Sequence, residues 1–175
     1  LLLNPDTLIT REAIEQLLHA MEAKDVGACG PRILNADGSV QLSCRRFPTL
    51  WRMLLAELGV RAFYYVAAPA GDVDQLMGSC LLLRRTALEQ IGLLDERFFV
   101  YFEEVDLCRR LNSAGWSVRF VPDAVITHVG GQSSQHDRSQ SLQFRYRSLF
   151  EYYRKHYPRW QLAVLKLAVQ IAALG

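Results

Sequence analysis

Three carboxylates crowd one short stretch of this sequence. Glu103, Glu104 and Asp106 lie in FEEVDLCRR, directly after an aromatic run of Phe98, Phe99, Tyr101 and Phe102. Helical spacing puts Glu104, Cys108 and Leu111 on one face, so Glu104 emerges against apolar neighbours. A desolvated carboxylate holds its proton more tightly and is the better proton acceptor in a reaction. Acids in a first helical turn also complement the positive end of the helix dipole, with no chemistry implied.

Three further groups have the composition of a site. In THVGGQSS, residues 127–134, His128 falls at the end of a strand, and Gly130 and Gly131 let backbone approach a ligand. The same pattern also describes a histidine beside an ordinary turn. Asn4-Pro5-Asp6 follows three leucines and offers two oxygen donors of the kind Mg²⁺ or Mn²⁺ prefers. It reads equally as a turn ahead of a helix N-cap at Thr7. Gly78 and Ser79 form a small-residue loop before the strand Leu81–Leu83, where backbone could line a substrate. His19, His136 and His156 lie on helical or polar stretches and receive no role.

The elements that must carry these residues can be read in order. LLLNPD looks like a buried strand running into a polar turn. Leu8, Ile14, Leu17, Leu18 and Met21 recur at helical spacing, and Gly27, Gly30 and Pro31 read as the break that ends that segment. NADGS at 35–39 is a hairpin turn between Ile33-Leu34 and Val40–Leu42. Residues 45–75 suggest a short helix and a loop. RRTALEQIG is a short helix closed by Gly92, and FEEVDLCRRLNSAG a second one closed by Gly115. WSVRFVPDAVITHVGG reads as strand, Pro-Asp turn, strand. Strands mixed with helices argue for the α/β class.

The bulk properties narrow the options. A chain of 175 residues, half of them apolar, is long enough for one domain with a core. A formal net charge of +2 is too small to argue for a nucleic-acid partner. The basic residues nonetheless gather late, at Arg138, Arg145, Arg147, Arg154, Lys155 and Arg159. Cys29, Cys44, Cys80 and Cys108 have no metal-ligand spacing, so buried, reduced thiols and a cytosolic location are expected. The apolar run from Trp160 to Leu174 would make a helix about 22 Å long, short of the roughly 30 Å hydrocarbon core. It reads either as a packing helix or as an interfacial one at a membrane surface.

Taken in order, LLLNPD, GACGPRILNADGSVQLSCRRFPT, the MGSC-to-NSAGW block and FVPDAVITHVGGQSS closely resemble the family 2 inverting glycosyltransferases of GT-A fold. The rhamnosyltransferase-like branch is the nearest. The resemblance spans residues 1–157, with 158–175 as a separate apolar helix. It implies a Rossmann-like α/β fold with a mixed sheet, and a chain that is the acceptor-side part without the nucleotide-binding half that opens family members. It implies Asp6, with Asn4 and in some relatives His128, at a Mg²⁺ or Mn²⁺ bound to the donor diphosphate. Glu104 falls where the family's catalytic base stands, usually an Asp, with Glu103 beside it. Gly78, Ser79, Asp106, Gly130 and Gly131 fall among substrate-binding positions.

The implied reaction is metal-dependent transfer of a sugar, rhamnose from dTDP-rhamnose as first choice, from a nucleotide-diphospho-sugar to a glycan or lipid-linked acceptor. It would serve bacterial cell-surface polysaccharide synthesis in the cytoplasm or at the inner face of the plasma membrane. A non-catalytic, truncated transferase half that binds a glycan or a partner chain is the other reading. The oligomeric state is not legible.

Overall fold

The computed structural model describes residues 1–60, 64–67, 70–129 and 138–174. Its strands are β1 (Leu2–Leu3), β2 (Thr7–Ile9), β3 (Val26–Leu34), β4 (Val40–Gln41), β5 (Cys44–Arg45), β6 (Gly71–Asp72), β7 (Gln75–Leu76), β8 (Cys80–Leu83) and β9 (Ser117–His128). Its helices are α1 (Arg11–Ala20), α2 (Leu50–Glu57), α3 (Arg85–Ile91), α4 (Glu103–Ser113), α5 (Arg138–His156) and α6 (Arg159–Leu174).

Seven of these strands form one mixed sheet in the order β1-β8-β3-β9-β2, with β4 joined to β3 and β6 to β9. The long central pair β3/β9 runs parallel, and every other pairing is antiparallel. This is the expected mixed α/β sheet. Helix α1 covers one face through Ala13 and Leu17, which meet Val26, Cys29, Ile33 and Ile126. On the other face Leu107, Cys108 and Leu111 of α4 pack on Ala28, Leu81 and Val118. A third apolar cluster joins α2, α4, α5 and α6 around Met53, Val105, Tyr152, Tyr153 and Leu165.

The hairpin at 35–39 forms as read, with Leu34 opposite Val40 and Ile33 opposite Gln41. Gly92 and Gly115 take the left-handed conformations that stop α3 and α4. Four local expectations need correction. Leu2–Leu3 is a two-residue strand paired with β8 alone, and Leu1 and Leu3 are exposed rather than buried. Thr7 does not cap a helix but lies in β2, because pairing with β9 claims it; the cap is Thr10, whose hydroxyl accepts from the Ala13 amide.

Gly27, Gly30 and Pro31 do not break the chain but sit inside the central strand. Close approach explains the glycines, since a Cβ at Gly27 would stand 2.7 Å from Trp116 Cβ and one at Gly30 3.1 Å from the Cys80 carbonyl. Pro31 falls at a register shift, where a missing amide is tolerated. Residues 117–128 are one strand rather than two. The Pro122-Asp123 step is absorbed as a bulge between the pairs Pro31/Val121 and Arg32/Val125.

Candidate functional site

Helix α4 starts in an unusual way. Tyr101 and Phe102 both hold left-handed backbone, with φ of 64° and 69°. For bulky residues each such conformation costs on the order of 1–3 kcal/mol. Packing enforces it: Phe102 is buried against Tyr152, with ring centroids 5.6 Å apart, and the Ser148 hydroxyl donates to the Val100 carbonyl at 2.7 Å. The double turn takes the chain from the aromatic run directly into Glu103 and Glu104 without a side-chain cap.

Both acids pay little heed to ordinary carboxylate behaviour. Glu104 is only 8% exposed, and one carboxyl oxygen of each, Oε2, is buried with no hydrogen-bond partner. Burial, aided by repulsion from Glu104, pushes Glu103 up to about 7. Burial also raises Glu104, against the opposing pull of the Arg45 guanidinium. Glu104 borders a cavity of about 190 Å³ lined also by Arg45, Tyr64, Tyr65, Tyr101 and Arg145. A proton-accepting pair beside a pocket walled by aromatic rings and cations suits a hydroxyl-bearing substrate.

The small loop joins this pair to the start of the chain. A Cβ on Gly78 would lie 3.3 Å from Glu104 Cβ, so glycine is what lets the loop pass so near the acid. Its neighbour Ser79 is buried, and its carbonyl accepts from the Asn4 amide at 2.9 Å and the Thr7 hydroxyl at 3.4 Å. The turn at 4–6 is thereby fixed to the loop that touches Glu104.

The β2/β9 pairing completes the other side. Thr7 stands opposite His128, the Val129 amide donates to the Asp6 carbonyl at 3.0 Å, and His128 Nε2 lies 3.3 Å from Asp6 Oδ1. The opposite ring nitrogen, Nδ1, meets Gln41 Oε1 at 2.9 Å, and Gln41 Nε2 donates to Asn35 Oδ1 at 2.9 Å. That second bond orients the Gln41 amide so that its oxygen faces the ring. An Nδ1–H bonded to Gln41 leaves the Nε2 lone pair toward Asp6.

Among the described residues no three His, Cys, Asp or Glu side chains converge on a metal position. Asp6 and His128 still suit a divalent ion that takes its remaining ligands from a diphosphate and water, as Mg²⁺ and Mn²⁺ commonly do. Asn4 is exposed on the same turn. Gly130 and Gly131 lie outside the described residues.

Asp106 departs from expectation. It is fully buried, and Arg110 Nε (2.8 Å), Lys155 Nζ (2.7 Å) and His156 Nε2 (2.7 Å) all reach its carboxylate. These partners offset the cost of burial and hold it down at about 2. A substrate hydroxyl would have to displace three side-chain partners, so these contacts favour a structural tie between α4 and α5 over substrate binding. Sequence reasoning missed Arg45, Gln41 and His156. Only Gln41 left a signal, at the second residue of the strand leaving the NADGS turn, opposite Ile33.

Comparison with known proteins matches the sequence profile described as glycosyltransferase like family 2 to residues 1–163. An N-acetylglucosaminyl-diphospho-decaprenol L-rhamnosyltransferase of Mycobacterium tuberculosis is 35% identical over 175 aligned residues, 93% of this chain and 57% of the relative. A low-salt glycan biosynthesis hexosyltransferase of Haloferax volcanii is 34% identical over 115 residues, 63% of this chain and 35% of the relative. The rhamnosyltransferase WbbL of Escherichia coli is 26% identical over 159 residues, 87% of this chain and 60% of the relative. The chain thus spans less than two thirds of the length of each of these relatives.

Proposed function

The chain belongs to the family 2 glycosyltransferases, and on that premise we propose that it carries the acceptor-activating part of an inverting sugar transferase. The observation that carries the reading is the pair Glu103/Glu104. Glu104 is buried and Glu103 half-buried; both have raised proton affinity and an unpartnered oxygen, and Glu104 faces a pocket of aromatic and cationic side chains.

Glu104 is the base. Its carboxylate takes the proton of an acceptor hydroxyl while that oxygen bonds to the anomeric carbon of the donor sugar. The bond from that carbon to the diphosphate oxygen breaks on the opposite face, which inverts the anomeric configuration and leaves a nucleoside diphosphate. Glu103 stands beside the base, its own proton affinity raised by burial and by repulsion from Glu104. Gly78 leaves room beside Glu104, and the Ser79 carbonyl sets the position of the 4–6 turn. Asp6 and His128, with Asn4 on the same turn, would hold a Mg²⁺ or Mn²⁺, which would supply positive charge to the departing diphosphate.

The donor is a nucleotide-diphospho-sugar. Its sugar is rhamnose, after the names of the Mycobacterium tuberculosis and Escherichia coli relatives, and its acceptor a lipid-linked glycan, after the name of the Mycobacterium tuberculosis relative. Such an acceptor places the work at the inner face of the plasma membrane.

Transfer of radiolabelled rhamnose from dTDP-rhamnose to a polyprenyl-diphosphate-linked N-acetylglucosamine tests the reading. Glu104→Gln keeps the side-chain shape and removes the base, and should lower kcat by about 10²–10⁴-fold with little change in KM. Glu103→Gln should cost less. Undiminished transfer in both variants would show that the acid pair is not the base.

A further inference from the structure

Helix α6 buries one face and leaves a second apolar face open. Leu165 is fully buried, and Leu162 and Val169 pack with it against the cluster around Met53, Tyr152 and Tyr153. On the outer side Trp160, Val164, Leu167 and Ile171 are 60%, 40%, 58% and 63% exposed. Steps of four, three and four residues at 100° per residue keep these four within about 60° of arc, a stripe about 16 Å long. Ordinary surface helices carry a single apolar stripe facing the core. This one has two.

Charge indicates what covers the second stripe. Helices α5 and α6 hold seven arginines and lysines (138, 145, 147, 154, 155, 159 and 166) against one acid, Glu151, a net +6. The whole chain is only +2, so the remaining residues are net −4. Lys155 is accounted for by Asp95 and Asp106, and Arg154 by Glu151. Arg145, Arg147, Arg159 and Lys166 remain exposed, and no acid occurs in α6. Lys166 leans over Phe150 of α5, with Nζ 5.5 Å from the ring centre, and Arg147 and Arg154 flank Phe150 at helical spacing. A second copy placed on this face would set cations against cations.

We propose that this face of α6, flanked by the basic residues of α5, docks on an anionic lipid surface. Trp160, Val164, Leu167 and Ile171 enter the headgroup boundary, and Arg159, Lys166 and Arg147 meet lipid phosphates. The helix lies in the surface; among the described residues no helix is long and apolar enough to span a membrane. The proposal goes beyond sugar transfer and does not depend on it.

Flotation of the chain with phosphatidylcholine vesicles, with and without phosphatidylglycerol, tests this directly. Binding should require phosphatidylglycerol and be released by high salt. Leu167→Glu with Ile171→Glu alters only exposed positions, so the variant should keep its circular dichroism and melting temperature while losing flotation. Arg159→Gln with Lys166→Gln should weaken vesicle affinity about 30-fold, on the basis of about 1 kcal/mol per basic residue.

Two results would overturn the proposal: no flotation of the unaltered chain at low salt, or equal flotation of the double-Glu variant. A dimer in sedimentation that this variant dissociates, without vesicle binding, would instead make the stripe a self-association face. Transfer activity is not a readout, so failure of the glycosyltransferase reading leaves the result interpretable.

Discussion

A carboxylic acid at the centre of this site must lose its proton before it can take another. Glu103 is pushed up to about 7, and Glu104 is raised by the same burial. Transfer should therefore climb with pH above the ordinary carboxylate range and then level off, the reverse of a reaction driven by a general acid. Burial raises Glu104 and the Arg45 guanidinium opposes it, so Arg45→Gln, which removes that pull, should move the rising limb of kcat against pH to higher pH. An unshifted limb would mean that Glu104 responds to burial alone. At the other end of the site Gln41 fixes the ring of His128. Gln41→Leu should weaken Mn²⁺ binding about 10-fold, read by electron paramagnetic resonance, while leaving the fold intact. The acids were legible in the sequence because three carboxylates after an aromatic run is an uncommon composition. Gln41 showed only its place in the hairpin and not its role, because its partner lies 87 residues away.

At the scale of elements, α4 and α5 are tied by charge as well as by packing. Asp106 of α4 bonds to Lys155 and His156 at the end of α5, and Lys155 also reaches Asp95, which Arg97 grips in turn. Removing a buried carboxylate strands its cations, so Asp106→Ala should cost about 3–5 kcal/mol in denaturant unfolding. The acid's affinity for protons is lower in the folded chain than in the unfolded one. Its stabilisation is therefore present above the ordinary carboxylate range and is lost as pH falls toward about 2. Spacing alone revealed that α4 is a helix and which of its faces is buried. The family resemblance placed Asp106 among substrate-binding positions, and two of the groups that occupy it, Lys155 and His156, arrive from a helix about fifty residues later.

Over the whole molecule the acid pair works against stability. A carboxyl that binds its proton more tightly when folded costs nothing while protonated and destabilises the fold as pH rises through its raised value. Glu103→Gln should leave the melting temperature unchanged near pH 4 and raise it by several degrees at pH 8, where the native charge is buried at a cost. A variant equally stable to the parent at pH 8 would show that Glu103 is better solvated than its surroundings imply. The site thus carries burial, an unpartnered oxygen on each acid and two left-handed residues in succession, the kind of local strain a rigid sheet and three apolar clusters can hold in place.

The sequence by itself determined the α/β class, the hairpin at 35–39, helices α3 and α4, and the family, because each rests on periodicity, turn chemistry or motif order carried by neighbouring residues. It could not show that Gly27, Gly30 and Pro31 belong to the central strand, that residues 117–128 form one strand, or that α6 has two apolar faces of which only one is packed. Those were decided by strand pairing and helix packing between distant segments. Only there does a local turn signal yield to a sheet, or an apolar residue learn whether it faces the core.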